Sequence, residues 1–113
     1  MGVRGGGCML DIGDIRALHS NNVVVLTDHF MDRLRKRTIK ISDVEHIIVS
    51  GEIIERYPDS YPHPSALLMG CLSKDAPLHV VVGIGKGLLW LVTAYIPTPD
   101  KWEADYKTRK AVE

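Results

Sequence analysis

The spacing of apolar residues changes once along this chain, at Gly51, and that change decides what the chain can build. Upstream, apolar residues recur every three or four positions, as in Ile12, Ile15 and Leu18, in Phe30, Met31 and Leu34, and in Val44, Ile47 and Ile48. That spacing lines one side of an α-helix. Downstream the pattern becomes short apolar runs broken by glycine and proline, the mark of β-strands. Helices followed by a run of strands bury their apolar stripes on one face of an antiparallel sheet, so the expected class is α+β. The 113 residues, 45% hydrophobic and 25% charged, suffice for one domain around one core, expected over residues 11–113 behind a flexible glycine-rich leader at 1–10.

The punctuation fills in the elements. A first helix is expected over 12–18, ended by Ser20-Asn21-Asn22, and Val23 to Leu26 either starts a strand or simply enters the core. Thr27 suits the N-cap of a second helix, and Asp28 suits its positive end. Ser42-Asp43-Val44-Glu45 reads as a capping box for a third helix, which Gly51 is placed to end. Four strands are expected over 52–57, 65–72, 78–84 and 88–96, with prolines at 58, 62 and 64 marking a loop and Ser73 to Pro77 a turn. Asp100 to Arg109 is expected to form a short final helix whose Trp102 and Tyr106 pack back on the sheet.

Gly85-Lys86-Gly87, taken as a three-residue turn, sets His79 opposite Thr93. Alternation then gives an outward face of His79, Val81, Gly83, Leu91, Thr93 and Tyr95, and a core face that includes Val80, Val82, Trp90, Val92 and Ala94. A bulge would shift that register.

Lysine plus arginine and aspartate plus glutamate both number 14, so no general basic coat is present and any anion site must be local. One local stripe stands out: His29, Arg33 and Arg37 recur every four residues on the second helix, with Lys36 beside them. Guanidinium groups bind phosphate or carboxylate through paired hydrogen bonds, and an imidazole at a helix N-terminus is held toward its neutral, proton-accepting form. Cys8 and Cys71 have no metal-type spacing, and His29 and His79 have no third soft ligand near them in sequence. No disulfide framework, metal or cofactor is expected, and a reduced cytoplasmic setting is. The longest apolar runs are too short to cross a bilayer.

The ordered string His29-x3-Arg33-x3-Arg37, Ile41-Ser-Asp-Val44, Gly51-Glu-Ile-Ile-Glu55, Tyr57-Pro-Asp59, Leu67-Leu-Met-Gly70, Leu78-His-Val-Val81 and Thr93-Ala-Tyr95-x-Pro97 resembles a small prokaryotic family of unknown function grouped with the barnase, colicin and RelE-like toxin ribonucleases. The likeness covers residues 28–102; it departs at Thr38-Ile-Lys-Ile41, where Gly-Ile is commoner, and in the leader, which has no counterpart. It implies helices on a four-stranded antiparallel sheet in a RelE- or barnase-like fold, and metal-independent cleavage of RNA, ribosome-bound message included. It also implies a cognate antitoxin as partner. Carried onto matching positions, His29 and His79 would be acid and base in an unassigned order and Arg33 would steady the reacting phosphate. Arg37, Thr93 and Tyr95 would bind substrate, all in one shallow cleft. Two rivals stand beside this: a module whose same basic stripe docks RNA or an acidic protein without cleavage, and a subunit whose apolar strand 88–96 completes a partner's sheet.

Overall fold

A computed structural model describes residues 11–72 and 76–110; the leader and the turn at 73–75 lie outside the described residues. The elements are α1 (Ile12–Ser20), β1 (Val24–Leu26), α2 (Asp28–Arg37), α3 (Ile41–Ser50), β2 (Glu52–Tyr57), β3 (Ser65–Cys71), β4 (Pro77–Gly85) and β5 (Leu88–Tyr95).

Local chemistry fixes the helix ends. The Asp11 carboxylate accepts the Gly13 N–H at 3.0 Å, and Thr27 Oγ1 accepts the Phe30 N–H at 3.1 Å, so α1 and α2 start on side-chain caps. Arg35, Lys36 and Arg37 occupy the last turn of α2, where the helix dipole favours cations. α3 starts at Ile41 rather than after Ser42, because the Asp43 carboxylate reaches back to the Lys40 N–H at 3.2 Å and makes Lys40 the N-cap. Gly51 closes α3, and a Cβ there would lie 2.6 Å from the Ile47 carbonyl oxygen and 2.8 Å from that of Met69. Only glycine lets the chain turn into β2 at that distance.

The sheet has five strands in the order β1-β5-β4-β3-β2. Four of them, β2 to β5, form the expected antiparallel meander. The fifth, β1, pairs parallel with β5 from Val24↔Leu89 to Leu26↔Leu91, which corrects the expected four-stranded, all-antiparallel sheet. Three residues are too few to show a period, and parallel pairing with a strand far along the chain leaves no local mark. One face of the sheet packs on the helices: Phe30, Val44, Ile47 and Ile48 meet Leu78, Val80, Val82, Leu89 and Ala94, all fully buried.

Two features correct the expected register of β4 and β5. Lys86 and Gly87 both have positive φ, 57° and 72°, so the turn is a two-residue one with Gly85 opposite Leu88. Farther along, Val82 pairs with Leu91 but Val81 pairs with Thr93, which leaves Val92 as a bulge. His79 therefore faces Tyr95, not Thr93. Leu91 belongs to the core and Trp90 to the opposite face, the reverse of expectation.

No final helix forms. Residues 97–110 make a turn-rich strap in which Asp105 Oδ1 accepts the Lys107 and Thr108 N–H groups at 2.9 and 3.1 Å, and Trp102 bridges to Arg109. A carboxylate that satisfies backbone donors locally competes with helix hydrogen bonds, and here it wins. No helix among the described residues is long and apolar enough to cross a membrane.

Candidate functional site

The outward face of the sheet carries the polar groups. His79 is fully buried there, with Nε2 2.7 Å from the Tyr106 carbonyl oxygen and Nδ1 3.3 Å from the Tyr95 hydroxyl. A carbonyl accepts only, so Nε2 carries the hydrogen and Nδ1 is left to accept the Tyr95 O–H. Trp102 closes the site edge-on, its ring 4.5 Å from the imidazole. Burial pushes the His79 pKa below its ordinary value, against the pull of the Tyr106 carbonyl and the Glu55 charge, so the ring is neutral at pH 7. Burial raises the Tyr95 pKa, so that group keeps its proton.

Behind this pair stands an ion pair that holds the strap to the sheet. Arg109 grips Glu55 with both prongs, Nε to Oε2 at 2.9 Å and Nη2 to Oε1 at 3.1 Å, and lies 4.6 Å over the Trp102 ring. The Tyr57 hydroxyl donates to the same carboxylate. Burial alone would raise the Glu55 pKa, but the hydrogen bonds from Arg109 and Tyr57 prevail and hold it below the ordinary value. Burial and the Glu55 carboxylate together raise the Tyr57 pKa.

Arg37, the last residue of α2, donates through Nη1 to Thr93 Oγ1 at 3.1 Å and to the Ala94 carbonyl at 2.8 Å, just past the last pairing of β1 with β5. Between Arg37 and the strap lies a cleft of about 370 Å³ lined by Arg37, Tyr95, Thr98, Lys101, Trp102 and Arg109, among others, with no carboxylate in the lining. Three basic side chains thus meet at a phenol, one of them, Arg109, already paired with Glu55.

Arg37, Thr93, Tyr95 and His79 are brought together, the first and third in the wall and His79 beneath it. Arg33, one turn before Arg37, is half-buried on α2. His29 lies elsewhere: it is exposed and lines a second cleft, of about 460 Å³, with Thr27, Tyr61, His63 and Trp90. The two histidines do not face one cleft, and His79 exposes no ring atom to either. Sequence reasoning missed Lys101, Arg109, Glu55 and Tyr57 as site residues; the helix expected over 100–109 placed Trp102 only as packing. Among the described residues no group of three or more His, Cys, Asp or Glu side chains is arranged to hold a metal.

Residues 26–96 match the family model described as Domain of unknown function (DUF4258). The match takes in His29, Arg33, Arg37, His79, Thr93 and Tyr95, and stops short of Lys101, Trp102 and Arg109. No curated protein and no solved structure matches the chain.

Proposed function

We propose, for a chain that belongs to the DUF4258 family, that it is the toxin of a toxin–antitoxin pair, an endoribonuclease that needs no metal. RNA is held by its phosphates in the cleft between α2 and the strap. The observation that carries this reading is the convergence of Arg37 and Lys101, with the Glu55-paired Arg109, on one cleft that has no carboxylate in its lining and the Tyr95 hydroxyl at its wall. A RelE- or barnase-like arrangement of helices on an antiparallel sheet belongs to the same proposal. So do a cytoplasmic setting and an acidic antitoxin surface that covers the cleft.

The chemistry follows from the hydrogen bonds. The ribose 2′-hydroxyl gives its proton to the Tyr95 oxygen while the Tyr95 proton moves to His79 Nδ1. The imidazolium that forms keeps its Nε2–H on the Tyr106 carbonyl and is favoured by the nearby Glu55 charge. The 2′-oxygen bonds to phosphorus, the P–O5′ bond breaks, and the leaving oxygen takes its proton from water in the open cleft, while the hydroxide so formed takes the Tyr95 proton as His79 returns its own to Tyr95. Arg37, Lys101 and Arg109 carry the charge of the phosphorane, and Arg33 adds charge on the approach. In this scheme His79 positions and relays rather than touching RNA, and His29 takes no part in the step.

A second reading keeps the cleft and drops the cleavage: His79 is sealed, with both nitrogens engaged, which suits a module that holds RNA or an acidic protein unchanged. RNA incubated with the protein and a chelator separates the two. Cleavage should persist, give 2′,3′-cyclic phosphate ends and fail on RNA with 2′-deoxy at the cut. Tyr95→Phe should slow single-turnover cleavage by about 100-fold with binding intact. Arg37→Ala should weaken binding and lessen its salt dependence by about one phosphate contact. RNA bound but never cut by the parent protein gives the second reading; no RNA affinity and no growth arrest on induced expression ends the first.

A further inference from the structure

We infer that the second cleft, the one beside His29, is a nucleobase pocket. The inference rests on the RNA reading above for the source of the base, but the pocket's chemistry stands by itself. Its lining contains no Lys, Arg, Asp or Glu, in contrast to the three cations of the phosphate cleft. Charge is thus sorted along the surface as it is in a nucleotide, with an uncharged hollow next to a cationic one.

The walls suit a flat ring. His63 and Trp90 stack at 4.8 Å with a 30° tilt, and Tyr57 and Tyr61 complete an aromatic rim. The Trp90 indole N–H is already given to the Gly85 carbonyl at 3.0 Å, so the ring, with His63 on one side of it, contributes π surface to the pocket and not a donor. His63 is built into this place: a Cβ at Gly85 would lie 2.1 Å from its Nδ1, so glycine is what lets the imidazole lie over β4. Tyr61 is 94% exposed at the lip, a large aromatic with no packing duty, able to close over a bound ring. Thr27, Ser60 and Ser65 are in the same lining, and a hydroxyl can donate to or accept from a base edge. Single-stranded RNA is read in this way, by stacking unpaired bases on aromatic side chains.

The spacing is right for one strand to occupy both clefts. Leu91 and Val92 line the base cleft and Tyr95 the phosphate cleft, so along β5 the two are about 10 Å apart at ~3.3 Å per residue. Along α2, His29 and Arg37 mark the same two stations, about 12 Å apart at ~1.5 Å per residue.

The chain's two tryptophans fall one to each cleft, which supplies the test. In Trp102→Phe the remaining fluorescence comes from Trp90, and uridine or adenosine should quench it saturably while inorganic phosphate does not. Adding His63→Ala should weaken that quenching about tenfold. In the unsubstituted protein, a short RNA carrying one abasic residue should bind about tenfold more weakly than its parent at the register where the base enters, found by moving the lesion along the strand. That comparison decides the matter if Trp102→Phe does not fold. Nucleosides that leave Trp90 unchanged, or abasic RNAs that bind like the parent at every register, overturn the pocket while leaving the phosphate cleft standing. Nucleoside quenching lost in His63→Ala, with no affinity for RNA, keeps the pocket and removes the RNA reading.

Discussion

The two faces of the β4–β5 hairpin share one backbone and use opposite chemistry. On the helix side, Leu78, Val80, Val82, Leu89 and Ala94 are fully buried and present no polar side-chain atom. That face stabilises by area removed from water, at roughly 25 cal/mol per Å². On the other side stand His79, Thr93 and Tyr95, covered only by the strap and by Trp102, and each polar group there depends on a named partner. A carbonyl left without its donor inside a protein costs free energy that area cannot return. Damage to the first face should therefore appear as lost stability at any pH, and damage to the second as a change in how stability and binding respond to protons.

The largest effect should come from the helix side. Phe30→Ala removes the largest fully buried side chain from beneath the sheet and should destabilise by about 3–5 kcal/mol, read as a lower urea midpoint with little pH dependence in the difference. A loss below ~1 kcal/mol would show that this face is not the one that holds the fold.

His79→Leu is intermediate. It keeps volume but strands the Tyr106 carbonyl and the Tyr95 hydroxyl, at about 1–3 kcal/mol. Its signature is the pH profile. The folded-state pKa of His79 lies below the ordinary 6.5, so the unfolded chain takes up a proton that the buried ring refuses. The stability this gives is complete above pH 6.5 and is lost as pH falls from there toward the folded value. The gap between parent and His79→Leu should narrow over that window, and a constant gap from pH 7.5 to 5.5 would break the contrast between the faces.

Glu55→Gln should have the smallest effect. The pair with Arg109 is partly exposed, with side chains 23% and 55% accessible, so its loss should cost no more than about 1 kcal/mol. Hydrogen exchange should quicken in the strap while the amides of β4 keep their protection. Equal loss of protection in both would mean that strap and sheet open as one unit.

Some of this was legible in the chain and some was not, for physical reasons. Thr27, the α3 stripe of Val44, Ile47 and Ile48, and Gly51 act locally, and the helices and the meander follow from them. The stripe ending in Arg37 and the placing of His79 opposite the core face of β4 were also legible by alternation, whereas Thr93 and Tyr95 fell on the expected side because the two-residue turn and the Val92 bulge each shift the register by one and cancel in parity. The partner of His79 was not, because it depends on a two-residue turn and a bulge together. Lys101 and Arg109 were hidden for a different reason: the strap is held by Asp105 and by Glu55, a residue far off in sequence, and such bonds leave no period to read.

Val92 makes the outward placing possible in a way that bears on comparison with relatives. If Val92 paired regularly opposite Val81 instead of bulging, continued alternation from Leu91 would turn Thr93 and Tyr95 inward to the helices and present Ala94 on the outside. The identity of the site is thus a matter of parity: whether residue 92 bulges or pairs decides which face everything after it in β5 takes. An alignment of this family that slides a gap across position 92 will equate a core alanine with a cleft tyrosine. The same holds for engineering: deleting Val92 should leave Thr93 opposite Val81 and Tyr95 opposite His79 in a regular ladder and keep the phenol in the cleft, whereas substituting Tyr95 removes it.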